Sequence, residues 1–235
     1  WHVADCLERH RARGTGALVG YIIDIKTNPT HDVTSDSSSR ALLTLASLDG
    51  RCLVMSSATA CSRFSAALHN PVGGVAAPTR LLSSNRLGTT PSDILANRMV
   101  ENVLAAVRAG IERARRSALT AVCTIWEAPP PRSSASAHNP TPITGREEHV
   151  AIDDFPPFEA YVAELRAAGD RQRPMYDYIV SHGCAAGLIN SLGQPVMKET
   201  RWHCFGYDMI RAAKLTGARA TDRVWAVAES LVGQT

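Results

Sequence analysis

At 235 residues, with 45% hydrophobic and 20% charged residues, the chain is long and apolar enough to bury a sizeable core, so wholesale disorder is not expected. A net charge of +3 and a pI near 8.6 make a mildly basic surface, short of the footprint of a dedicated nucleic-acid domain. Charged or polar residues interrupt every window before the run of about 18 apolar residues that a membrane span needs, so a soluble protein with no membrane contact is expected.

The chain opens Trp1-His2-Val3, without an initiator methionine or a leader pattern, and reads as a processed chain or a segment of a larger product. Its six cysteines, Cys6, Cys52, Cys61, Cys123, Cys184 and Cys204, are scattered and form no CxxC pair. Free thiols are the simpler reading, which points to an intracellular reducing compartment: cytoplasm, organelle matrix or an intracellular virus particle.

In chain order, residues 17–26 are rich in β-branched and aromatic side chains between glycine and Asn28-Pro29, and predict a buried strand. Residues 30–39 are serine-rich and polar, which predicts an exposed loop. A second strand is expected at residues 52–55, after the Asp49-Gly50 turn signal. Breakers fill residues 70–78, and irregular chain should follow them.

Thr90-Pro91-Ser92-Asp93 then combines a cap residue, a proline at the first helical position and an early acid, so a helix should start there. Ile94, Leu95, Met99, Val103, Leu104, Val107 and Ile111 recur at three- and four-residue steps, and predict one apolar stripe running towards Arg116. Residues 119–126 alternate as a strand directly after it.

Residues 127–145 contain five prolines among small polar residues and read as an extended arm. Beyond the arm, residues 155–168, 175–192, 202–215 and 221–232 read as four helices stopped by Gly169, Gly193, Gly217 and Gly233. The expected fold is therefore α+β. A mixed region at 1–126, with a few strands and the long helix, is followed by the arm at 127–145 and a mainly helical region at 146–235, with or without one shared core.

Asp24-Ile25-Lys26, at the end of the first predicted strand, would put an acid and a lysine on one strand face. Over those residues the chain resembles the acid-x-lysine motif of restriction-endonuclease-like nucleases. The resemblance implies that a divalent metal is held and a water oriented there, with Asp5 or Glu8 as the further carboxylate. The upstream acids lie in a predicted helix, and the same residues also read as a strand ending in solvated charges.

His182, Cys184, His203 and Cys204 are zinc-type ligands. Their spacing of two apart or adjacent points them in different directions, so no metal site is expected. Neither a GxSxG elbow nor a P-loop is present, and the glycines at Gly14, Gly16 and Gly20 enter a strand instead of leaving one for a helix. Arg108, Arg113, Arg115 and Arg116 collect at the carboxyl end of the long helix, where they complement its dipole and could meet phosphates. Trp202, Phe205, Tyr207 and Trp225 read as core aromatics.

The leading expectation is a non-catalytic structural component of a large macromolecular assembly, of capsid type or from an organellar complex. It takes other protein subunits as partners and needs no cofactor, and the arm and the loop at 30–39 make its contacts. A metal-dependent nuclease built on Asp24 and Lys26 is the alternative. An RNA-binding module using Arg108, Arg113, Arg115 and Arg116 is the third reading, in which RNA or DNA is the partner.

Overall fold

The computed structural model describes residues 28–47, 52–57, 61–64, 79–116, 121–129, 148–182, 191–194, 199–206 and 210. Helix α1 is Asp36–Ser47, α2 is Pro91–Arg116 and α3 is Pro156–Ala168. The strands are β1 (Cys52–Ser57), β2 (Ala121–Ala128), β3 (Tyr176–His182) and β4 (Glu199–Phe205). The fold is α+β. The predicted strand at 17–26, the breaker-rich run at 70–78, most of the arm and the last predicted helix lie outside the described residues.

The sheet order is β1-β2-β4-β3. Strand β1 runs parallel to β2, with Cys52 opposite Ala121, and α2 lies in the connection between them, as a parallel pair requires. Strands β2, β4 and β3 are antiparallel, with Trp126 opposite His203 and Tyr178 opposite the same histidine. Strands from both sides of the arm thus share one sheet.

This arrangement corrects the mainly helical reading of the C-terminal region. Residues 176–182 and most of 202–215 that fall within the description are strand, because Tyr176, Tyr178 and Val180 go to one face while Asp177 and Ile179 go to the other. Aromatic and β-branched residues gain more from cross-strand neighbours than from a helix face. The helix at 155–168 is observed as α3, entered through Phe155 with prolines in its first turn and closed where Gly169 N–H reaches Leu165 O at 3.0 Å. A Cβ on Gly169 would stand 2.8 Å from the Met175 amide nitrogen, so glycine lets the chain turn back closely into β3.

Residues 30–39 are not an exposed loop throughout. Thr34 and Ser38 are buried, and the segment passes from a 3-10 turn at Pro29–His31 into α1. Its polar groups satisfy one another: Asp32 Oδ1 accepts from Thr34 N–H at 2.9 Å and from Thr34 Oγ1 at 2.6 Å. Asn102 and Arg98 of α2 donate to the carbonyls of Val33 and Thr34, which ties the segment down.

The main core lies between α2, α3 and one sheet face. Val100, Val103, Leu104, Val107 and Ile111 from α2 meet Trp126, Phe155, Phe158, Leu165 and Phe205. Phe158 places its ring edge-on to Trp126 at 5.6 Å and to Phe205 at 6.0 Å between centroids, a favourable aromatic geometry. A smaller cluster of Ile125, Cys204 and Ile210 sits on the other face.

Asp93, in the first turn of α2 and fully buried, is the polar anchor of this core. Its Oδ2 accepts from Thr90 Oγ1 at 2.7 Å and Thr79 Oγ1 at 2.5 Å, while Oδ1 accepts from Arg63 Nη2 at 2.8 Å and Arg80 Nε at 3.3 Å. The Asp93 N–H returns to Thr90 Oγ1, so side chain and backbone cap each other. Arg80, buried too, lies over the Phe64 ring at 4.2 Å. Gly88 has φ +72° and passes so close that a Cβ would stand 2.5 Å from the Asp93 carboxylate.

Burial alone would raise the Asp93 pKa, but the hydrogen bonds from Thr79, Thr90 and Arg63 outweigh it and hold the carboxyl below its ordinary range. Asp93→Ala, which leaves Arg80 buried and uncompensated, should cost about 3–5 kcal/mol in denaturant unfolding. A carboxylate with a depressed folded pKa contributes fully above its unfolded value of about 4 and loses that contribution as pH falls further. Wild type should therefore lose stability below about pH 4 more steeply than Asp93→Asn.

Candidate functional site: a buried Asp-Arg-His-Tyr cluster on the sheet

Alternation places Thr124 and Trp126 of β2, Arg201, His203 and Phe205 of β4, and Tyr176 of β3 on the sheet face that α3 covers. Tyr176 Oη and His203 Nδ1 are 2.7 Å apart, and the imidazole packs edge-on to Phe158 at 4.9 Å. Asp153, from the 3-10 turn that leads into α3, receives Arg201 Nη1 on Oδ1 at 3.1 Å, with His203 Nδ1 3.9 Å from the same oxygen. The Arg201 guanidinium lies 4.1 Å over the Tyr178 ring.

Burial, and secondarily the Arg201 charge, push the His203 pKa down to about 3, so the ring is neutral at physiological pH. Burial also raises the Tyr176 phenol above its usual value and, with Arg201 opposing, raises the Asp153 carboxyl. In the tautomer with the proton on Nε2 the Tyr176 phenol donates to His203 Nδ1, and in the other tautomer Nδ1–H donates to the phenol oxygen.

His203 Nε2, Trp126 Nε1 and Thr124 Oγ1 are all buried without a protein hydrogen-bond partner among the described residues. Chemically, the cluster fixes the lateral register of β2, β4 and β3 against α3. At 3.9 Å the Asp153–His203 contact is too long for the orienting bond of a catalytic triad.

The histidine–cysteine pair falls on a strand, so His203 and Cys204 face opposite sides of the sheet. His203 is fully buried, and burial pushes the Cys204 thiol up to about 12. Among the described residues no group of three His, Cys, Asp or Glu side chains is placed to hold a metal ion. Asp5, Glu8, Asp24 and Lys26 lie outside the described residues, as does Cys184.

The arginines of α2 are brought to one helix end but do not act as one basic row. Arg108 pairs with Glu164 at 2.9 Å and stacks 4.6 Å over Tyr161, and Arg116 meets Glu112 at 3.6 Å. Arg113 is half-buried with its Nε unpartnered, while Arg115 is exposed. Arg108 also lines a shallow groove of about 220 Å³ between α2 and α3, with Glu101, Leu104, Ala105, Pro157 and Tyr161.

The predicted α2 stripe holds from its middle onwards, but Ile94 and Leu95 are 58% and 51% exposed. Leu87, 48% exposed, is tied to the same helix by a 2.9 Å bond from Asn97 Nδ2 to its carbonyl. Phe205 is core as expected, and Trp202 is half-buried on the opposite face. No helix among the described residues is long and apolar enough to cross a membrane.

No protein-family profile, curated protein or solved structure matches this chain.

The sign of the His203 effect follows from its lowered folded pKa. Between the unfolded value of about 6.5 and the folded value the unfolded chain binds more protons, so stability falls as pH drops through that window. Wild type should show this loss in unfolding midpoints between pH 6.5 and 4.5, and His203→Phe should flatten it.

Proposed function

We propose that this chain is a non-catalytic structural subunit of a larger assembly, held to other protein subunits through the amino-terminal end of α2. The observation that supports this reading is the exposure of three large aliphatic side chains, Leu87, Ile94 and Leu95, in and just before the start of α2. Each of these large aliphatic side chains is about half exposed or more, beside a buried anchor that fixes the helix end in place. Exposed apolar side chains near one helix end are what a partner surface would cover.

The helix end beyond Arg108 supplies a second contact, with RNA or DNA phosphates, through Arg115 and the arginines around it. Ion pairing of Arg108 and Arg116 to glutamates makes that contact the lesser one.

The test is native mass by analytical ultracentrifugation. Wild type should sediment above the 25.3 kDa of one chain, and Ile94→Glu with Leu95→Glu should shift it down while leaving the unfolding midpoint nearly unchanged. A monomeric wild type at all concentrations, with or without nucleic acid, would contradict the proposal.

A further inference from the structure

Residues 129–147 join two halves of one body. Helices α1 and α2 with strands β1 and β2 come before them, and α3, β3 and β4 come after. Strand β2 pairs with β4, from Thr124 opposite Phe205 to Ala128 opposite Arg201, so the boundary between the halves runs through the middle of the sheet. The core crosses the same boundary. Phe155 meets Phe64 edge-on at 5.7 Å between centroids and Phe158 meets Trp126 at 5.6 Å, while Val100, Val103 and Val107 share one cluster with Leu165 and Phe205.

Polar contacts join the halves as well. Leu82 N–H donates to the Glu148 carbonyl at 3.1 Å, and Ser83 N–H to the Glu148 carboxylate at 2.9 Å. Arg86 Nε donates to the Asp154 carbonyl at 2.7 Å, and its guanidinium pairs with Glu159. Arg108 of α2 pairs with Glu164 of α3 at 2.9 Å. Each half supplies two of the four described strands, and a two-stranded sheet is marginal in water by itself.

We propose that the β4 edge that meets β2, together with the apolar side of α3, is a docking surface whose partner is the 28–128 half, and that it holds this partner without the connecting chain. Cutting between residues 129 and 147 then leaves a two-chain body with the same fold. The connection contributes a high effective concentration of one half for the other, which tight docking makes dispensable. The inference goes beyond the assembly reading and does not depend on it, since it concerns what holds one body together.

A protease recognition sequence inserted after residue 137 of the full chain, and cut after folding, tests it. The cut chain should run as two bands on a denaturing gel, yet elute with the uncut chain from a sizing column at micromolar concentration. Its far-ultraviolet dichroism should match that of the uncut chain, and its thermal midpoint should be lower and rise with protein concentration, as for two associating chains. If the inserted site resists the protease, co-expression of residues 1–137 and 138–235 with a tag on one half reads the same contact, and both halves should be retained together. Halves that separate on the column, a cut chain that loses its dichroism, or retention of the tagged half alone overturns the inference. None of these results alters the native mass of the uncut chain, on which the assembly reading stands or falls.

Discussion

The buried carboxylate of Asp93 is the contact on which the rest of the structure depends. It draws two arginines and two threonines from separate segments onto the first turn of α2, and it requires a glycine at position 88 to make room. An isolated ion of this kind in a core is costly. Surrounded by donors, it becomes the point that fixes where α2 begins. Because α2 then spans the connection between β1 and β2, the position of its first turn sets which residues reach the sheet: Val100, Val103 and Val107 reach it, and Ile94 and Leu95 do not. The exposed patch is thus a consequence of the anchor.

At the far side of the same core the sheet uses a different device. Tyr176, His203, Arg201 and Asp153 form a polar seam under α3, with the imidazole kept neutral by burial. Aromatic rings on either side leave little freedom for the strands to slip, since a one-residue shift would bring Trp202 and Cys204 to the α3 face. The same alternation turns Tyr178 and Val180 towards the rim, where α3 no longer covers them. Anchor and seam leave Leu87, Ile94 and Leu95 exposed at the start of α2 and Tyr178 and Val180 exposed on β3.

Much of α2 was legible from residues 90–111, because a cap, a proline and an apolar stripe agree. Asp93 could be read as an early acid of that helix, but not as a buried ion, since Arg63, Thr79 and Arg80 reach it only through the fold. The β3 run reads as helix from sequence because Met175 and Ile179 fit a four-residue step as well as Tyr176, Tyr178 and Val180 fit a two-residue one. A short run cannot separate those periods. Its partner β4, more than fifteen residues further on, decides the matter. Residues 30–39 looked too polar to order, yet their hydroxyls supply the hydrogen bonds that hold the turn. Of the buried cluster, only His203 stood out in the sequence, as a zinc-type residue whose spacing from its neighbours argued against a metal site. Asp153, Tyr176 and Arg201 carry no motif and are joined by strand register alone.

The central claim is the proposal that the protein meets other subunits through the exposed start of α2. Hydrogen–deuterium exchange compared at low and high protein concentration tests it most directly, because it reads backbone amides there without any substitution. The account predicts that amides around residues 87–95 exchange more slowly as concentration rises, while those of α3 do not change. Exchange around residues 87–95 that is the same at every concentration would contradict it.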